Sequence, residues 1–384
     1  MITQNVSVLF IAVVIVKLKA EAIAIFMNLG QFMDFSSIFF ISATTLLLVV
    51  VVYATFGVMA GVEAKGKTRS AFDEHEIKRE EEKKKFPRDL QGFGYKFNEA
   101  GELRDIKTDG GFEFNVKEGD HHHNQVRYEA LGDVITEYIY DLLEKETKLK
   151  RVHVPIDAGK DNPRSFFFMS EDAMENPDKL MILIHGSGVV RAGQWARRLI
   201  INDNLDMGTQ IPFIKKAKEE GYGVIVLNTN ENEVIKKKKK LLIEGNSTPE
   251  LHTLYVWDNF IRKAKANSIA IVAHSYGGVV TVNLASHREE SLDRVFAVAF
   301  TDSVHSFQLQ ETPNHVIKFF KENAQNWISS DKPLDTPSAC RSKVDCPCVS
   351  AGHMKHEMTS CNSMDSIFKF LAGKYAAGEK REEL

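Results

Sequence analysis

Ser275 stands in the run Ala273-His274-Ser275-Tyr276-Gly277-Gly278, directly after the β-rich stretch 269–273 and ahead of a helix-like run at 279–286. A strand that turns sharply into a helix exposes the residue at the turn, and only small residues fit two places before and after it. Ala273 and Gly277 meet that demand, alanine standing where the usual pattern has glycine. A serine so placed can attack a carbonyl carbon; its competing role is to cap the helix that follows.

Attack on a carbonyl builds charge on its oxygen, so the site needs N–H donors aimed there. Leu183-Ile184-His185-Gly186-Ser187-Gly188 leaves an earlier strand with two glycines that let the backbone turn inward. Ser187, Gly188 and Tyr276, the residue after the nucleophile, are the expected oxyanion-hole donors. A plain glycine-rich turn is the alternative, and no Gly-Lys-Ser/Thr follows to make it a phosphate loop. The acid and the base should come later, in that order. Asp302 ends the run 295–300 and is the candidate acid, with Asp331, Asp335 and Asp345 as alternatives. His356, ahead of a terminal helix at 364–375, is the preferred base and His353 the alternative. Ser275, His356 and Asp302 together make a candidate serine-hydrolase triad.

Other residues carry weaker signals. His121, His122 and His123 form a polar loop that could bind metal but is expected to face solvent. Cys340, Cys346, Cys348 and Cys361 lack a C-x-x-C pair, so no zinc site, no metal and no cofactor is expected; an oxidising compartment could pair some of them. Lys236 to Lys240 read as a solvated loop, with nuclear import or nucleic-acid contact as the alternative. Asn246-Ser247-Thr248 is a glycosylation sequon that matters only in a lumenal body.

The elements that must position these groups are legible in outline. Residues 124–146 carry Tyr128, Leu131, Val134, Ile135, Tyr138, Ile139, Leu142 and Leu143 at helical spacing. Stretches 93–98 and 112–116 suggest a hairpin-like entry. Strand-like runs follow at 152–156, 166–169, 180–184, 224–227, 269–273, 295–300 and 348–351. The last five are unbroken, as in strands buried on both faces. Helical stretches at 211–220, 249–266 and 313–326 separate several of them. That alternation predicts an α/β fold: a doubly wound, mostly parallel sheet with helices on both faces.

Organisation along the chain is uneven. Residues 1–64 form a hydrophobic leader whose longest uncharged run, 35–62, could span a bilayer as an anchor, serve as a signal peptide or reflect a misassigned start. Residues 65–90 are a charged linker or exposed helix, 91–375 the main domain and 376–384 a charged tail. The tail ends Lys380-Arg381-Glu382-Glu383-Leu384, close to an endoplasmic-reticulum retention signal. Charged residues make up 26% of the chain and the formal net charge is −3, which excludes a global basic field for nucleic acid.

Several stretches are specific enough to name a family. They are Ser170-Glu171-Asp172-Ala173, Leu183-Ile184-His185-Gly186-Ser187-Gly188-Val189-Val190-Arg191-Ala192-Gly193-Gln194-Trp195-Ala196-Arg197-Arg198-Leu199, Gly221-Tyr222-Gly223-Val224-Ile225-Val226-Leu227-Asn228, Tyr255-Val256-Trp257-Asp258, and Thr301-Asp302-Ser303-Val304-His305, with the Ser275 motif. Together they resemble the animal cotranscriptional-regulator family that carries the Argonaute-binding-protein-two domain, over roughly residues 93–370. The resemblance implies an α/β-hydrolase-like fold and links to Argonaute proteins, small-RNA (siRNA) silencing, heterochromatin assembly and alternative splicing. It also implies a nuclear and cytoplasmic address, and serine-hydrolase chemistry with Ser275 and His356 in the family's motif positions. Two departures stand out: a shortened insertion between Asn228 and Tyr255, and the hydrophobic leader, which favours the endoplasmic reticulum and membrane contact through 35–62.

Overall fold

The computed structural model describes residues 71–382 apart from 160, 341 and 343. The hydrophobic leader and the start of the charged linker lie outside the described residues, as do Glu383 and Leu384 of the tail. Among the described residues no helix is long and apolar enough to cross a membrane.

The strands in chain order are β1 (Tyr95–Phe97), β2 (Leu103–Asp105), β3 (Lys150–Val154), β4 (Ser165–Met169), β5 (Lys179–Ile184) and β6 (Tyr222–Val226). They continue with β7 (Glu233–Lys236), β8 (Lys239–Leu242), β9 (Ser268–His274), β10 (Val295–Thr301), β11 (Ala324–Ile328) and β12 (Cys348–Ser350). Eight of them form one sheet in the order β3-β4-β6-β5-β9-β10-β11-β12. From β6 to β12 every pairing is parallel, while β3 and β4 close one edge antiparallel.

Buried β-rich runs without polar breaks require cover on both faces, and that is what is found. In β5, Leu180, Ile182 and Ile184 enter one core while Met181 and Leu183 enter the other. β9 repeats the pattern, with Ile269, Ile271 and Ala273 on one side and Ala270 and Val272 on the other. The chain winds outward from β5 to β6, then returns through β9 to build the opposite half. β5 and β9 are therefore neighbours at the switch point, the place where open α/β sheets bind ligands beyond the strands' carboxyl ends.

The helices are α1 (Ala71–Lys83), α2 (His121–Lys145), α3 (Arg197–Asn202), α4 (Leu205–Gly208), α5 (Ile211–Glu219), α6 (Pro249–Asn259), α7 (Tyr276–His287), α8 (Asn314–Asn323) and α9 (Thr359–Glu382). The charged linker is more than a solvated joint. As α1 it lies on α2 through a bidentate Arg79–Glu129 pair (2.7 and 2.6 Å) and through Lys83–Asp133 (2.5 Å). The three histidines open α2, whose N-cap Asp120 accepts the His123 N–H at 2.9 Å. That makes them the first turn of a helix, not a metal loop. The lysine run becomes the β7–β8 hairpin, with Lys237 and Lys238 both at positive φ (51° and 55°), as a two-residue type I′ turn requires.

Three element boundaries differ from expectation. β1 pairs with Leu103–Asp105, not with 112–116, because the tight turn ending at Gly101 (φ 73°) returns the chain earlier. The helix expected over 313–326 stops at Asn323 and gives way to β11, whose sequence Ala-Gln-Asn-Trp-Ile has too few branched residues to announce a strand. The tail continues α9 as far as Glu382.

Candidate active site

β9 ends and α7 begins on either side of Ser275, which holds φ 53° and ψ −118°. Few non-glycine residues adopt that backbone, and it persists only where neighbours enforce it. The Ser275 N–H donates to Thr301 O (3.0 Å), and Ser275 O accepts from Val304 N (3.2 Å) and Gly278 N (3.1 Å). Those bonds clamp the serine to the loop that carries Asp302. Helix capping is not its role, for it makes no side-chain cap hydrogen bond.

Asp302 follows β10 and is likewise at positive φ, 44°. Its side chain is 3% exposed and accepts from His356 Nδ1 at 2.7 Å. A carboxylate can only accept, so Nδ1 carries the proton and Nε2 is left with a free lone pair. Burial pushes the Asp302 carboxyl up, but hydrogen bonds from His356 and Ser329 outweigh it and hold the group below its usual range. His356 begins a short turn of 3-10 helix before α9, and its side chain is 42% exposed. Among the described residues no hydrogen bond joins Ser275 Oγ to His356, a contact that is often long before substrate arrives.

The alternatives are spoken for elsewhere. Asp335 accepts from Trp327 Nε1 (2.8 Å) and Ser366 Oγ (2.6 Å), and Asp345 pairs with His305 (2.9 Å). Asp331 is exposed. His353 Nδ1 accepts only the nearby Lys355 N–H, at 3.0 Å.

The expected oxyanion loop follows β5. Gly186 approaches the nucleophile so closely that a Cβ there would lie 3.1 Å from Ser275 Cβ, and Gly188 takes φ 97°. Tyr276 is the first residue of α7, so its N–H has no partner within the helix. Sequence reasoning missed Asn230, just beyond β6. Its Nδ2 donates to Gly186 O (2.9 Å), Val190 O (3.0 Å) and Gly188 O (3.2 Å), tying three of the loop's carbonyls to one amide. The only available signal was an asparagine at the carboxyl edge of a buried strand.

Three buried histidines support this floor in the neutral form. His274 Nδ1–H donates to Thr301 O (2.9 Å), and its ring lies 4.7 Å from the His356 ring. His252 donates to Asn246 Oδ1 (2.9 Å) and accepts the Asn228 N–H (3.2 Å), while His185 donates to Gly186 O (2.8 Å). Burial lowers His274 and His252 to about 3 and His185 to about 4. Below pH ~6.5 the unfolded chain therefore binds protons that the folded chain refuses, and stability falls as pH drops toward the folded values. Each histidine is expected to cost about 2 kcal/mol at pH 5 relative to pH 7.5. Urea midpoints at the two pH values check this; equal midpoints would contradict it. The same packing leaves Asn246 fully buried, so its sequon has no room for a glycan in the folded domain.

A strained serine at the switch point, a buried carboxylate on its imidazole and a glycine loop opposite define a hydrolase-like α/β protein. The family model of the Arb2 domain matches residues 86–334, and the chain belongs to that family. Cotranscriptional regulator ARB2A of Homo sapiens is 49% identical over 343 residues, covering 77% of this chain and 82% of that protein. The Cotranscriptional regulator ARB2A homolog of Dictyostelium discoideum is 36% identical over 313 residues, 73% of this chain and 79% of that one. Among solved structures, the histone deacetylase Clr3 overlays with a TM-score of 0.42 at 17% identity, over 64% of this chain and 39% of that chain.

Proposed function

We propose that the chain is a cotranscriptional regulator built on a serine-hydrolase frame. The observation that carries the regulatory part is the 49% identity to a protein of that name across most of both chains. Its partners in this reading are Argonaute, chromatin and splicing proteins, with small-RNA association, in the nucleus and cytoplasm. Pull-down of tagged full chain from nuclear extract is expected to recover Argonaute or splicing factors; recovery of neither would remove the finer reading. Imaging of the same tagged chain separates a nuclear address from the endoplasmic reticulum.

The geometry favours a second, compatible activity: hydrolysis of an apolar acyl ester or amide. Ser275 attacks the carbonyl, His356 Nε2 takes its proton and returns it to the leaving group, and Asp302 orients the imidazolium. Ser187, Gly188 and Tyr276 offer the oxyanion donors. Val189, Val304 and Met354, exposed on the three loops that carry the site, give it an apolar rim. A fluorophosphonate probe is expected to label the wild-type chain and to lose all labelling in Ser275→Ala. A folded wild-type chain that stays unlabelled would leave a binding protein with inherited geometry.

A further inference from the structure

The loop leading into β12 gathers three of the four cysteines away from the triad. Cys340 and Cys348 are joined as a disulfide, and Cys346 between them is a free, buried thiol. His305 reaches the same place from the end of β10, with its side chain 1% exposed. The ligand atoms of His305, Asp345 and Cys346 lie within 4.8 Å of one another, and those of Cys340, Asp345 and Cys348 form a second group equally close. Asp345 belongs to both groups, so five metal-ligating side chains converge on one buried corner.

Thiolate sulfur and imidazole nitrogen are the donors zinc prefers, at about 2.3 and 2.0 Å in a tetrahedron. Ligands set at those lengths stand roughly 3.5–3.8 Å apart, inside the 4.8 Å that bounds each of the two groups, which meet at Asp345. His305 is also oriented from behind, as metal-bound histidines are. Its Nδ1 lies 2.7 Å from Ser303 Oγ, its Nε2–H donates to Asp345 Oδ1 at 2.9 Å, and Cys346 Sγ lies in the same group.

We propose that the reduced chain holds one zinc ion here, bound by the thiolates of Cys340, Cys346 and Cys348 and by His305 Nε2, with Asp345 as the adjoining carboxylate. Two equivalents of a small thiol open the disulfide: their two electrons go to the Cys340 and Cys348 sulfurs, and they leave joined as their own disulfide. Zinc then displaces the thiol protons to solvent. Without the metal, His305 Nε2–H donates to Asp345. Zinc takes the Nε2 lone pair as that proton leaves to solvent, and Nδ1 takes up a proton from solvent and donates it to Ser303 Oγ. Disulfide and zinc site are thus alternative states of the same sulfurs. The missing C-x-x-C pair is no obstacle, because the corner is closed by long-range packing: His305 comes from the loop after β10, and the cysteines surround the start of β12, two strands away. Asp302 and His305 share a loop and β12 leads to His356, so the ion would tie together the two segments that carry the acid and the base.

Metal content tests this whether or not the triad is active. Full chain purified under reducing conditions is expected to carry one zinc per molecule by elemental analysis. Cobalt(II) in its place is expected to show thiolate-to-metal charge transfer in the near ultraviolet and tetrahedral bands in the visible. Cys361→Ser should keep the ion, whereas Cys346→Ser and His305→Gln should lose it. A folded, fully reduced wild-type chain without zinc and without cobalt bands would overturn the proposal, even if the variants fail to fold. Full zinc retention in Cys346→Ser would overturn it too.

Discussion

Asp302→Asn is expected to slow acylation of Ser275 by about 10⁴-fold while the fold stays intact. The reason lies in which nitrogen of His356 holds the proton. The buried carboxylate accepts from Nδ1, and that leaves Nε2 free to take the serine proton. An asparagine can turn its NH₂ toward Nδ1, which then accepts; the proton moves to Nε2 and the base is lost. Shape barely changes, so the effect falls on rate and not on folding. Steady-state hydrolysis of a short-chain p-nitrophenyl ester reads it, beside fluorophosphonate labelling. Asp335→Asn is the informative companion, because Asp335 supports Trp327 and Ser366 and touches no triad member. It should lower stability and spare the rate. The reverse pattern would make Asp335 the acid.

Gly278→Ala is expected to destabilise the domain by about 3 kcal/mol, a fall of roughly 4–5 °C in Tm. A Cβ at this position would sit 1.8 Å from Ser303 Oγ and 2.7 Å from Ser303 Cβ. No rotation of the serine hydroxyl clears its own Cβ, so the loop carrying Asp302 and Ser303 must move away from α7. Activity should therefore fall with stability. Ser303→Gly in the same chain removes both clashing atoms and should restore part of the loss, a non-additive pairing that thermal unfolding can measure. Gly373→Ala in α9 is the contrast. Nothing lies within 4 Å of a Cβ there, so alanine should be neutral or stabilising by up to about 1 kcal/mol. Equal losses at both glycines would show that helix propensity, and not the clash, governs Gly278.

The candidate triad could be proposed from sequence because each member follows a strand and the order serine, acid, histidine survives in the linear chain. Ser275 was marked by small neighbours that a sharp turn requires, and the sheet by unbroken apolar runs that only two-sided burial explains. β11 was missed because its neighbours supply the apolar surroundings that its own side chains lack. α1 was half-read, since a charged run shows its solubility but not the Arg79 and Lys83 pairings that seat it on α2. Among the carboxylates, Asp302 was preferred for its place at a strand's carboxyl end with three alternatives open, and the parallel register of β9, β10 and β11 sets it beside His356.

The sequence by itself determined the strand–serine–helix turn, the two-faced sheet and the family, because those depend on local sterics, hydrophobic period and motif. Tertiary structure alone decided what depends on contacts between distant segments. Asn230 supports a loop some forty residues earlier, His274 lies neutral against His356, and His305 meets Asp345 and Cys346 with no spacing signature. Each of those contacts is formed by strand order and register, and no local pattern in the chain encodes them.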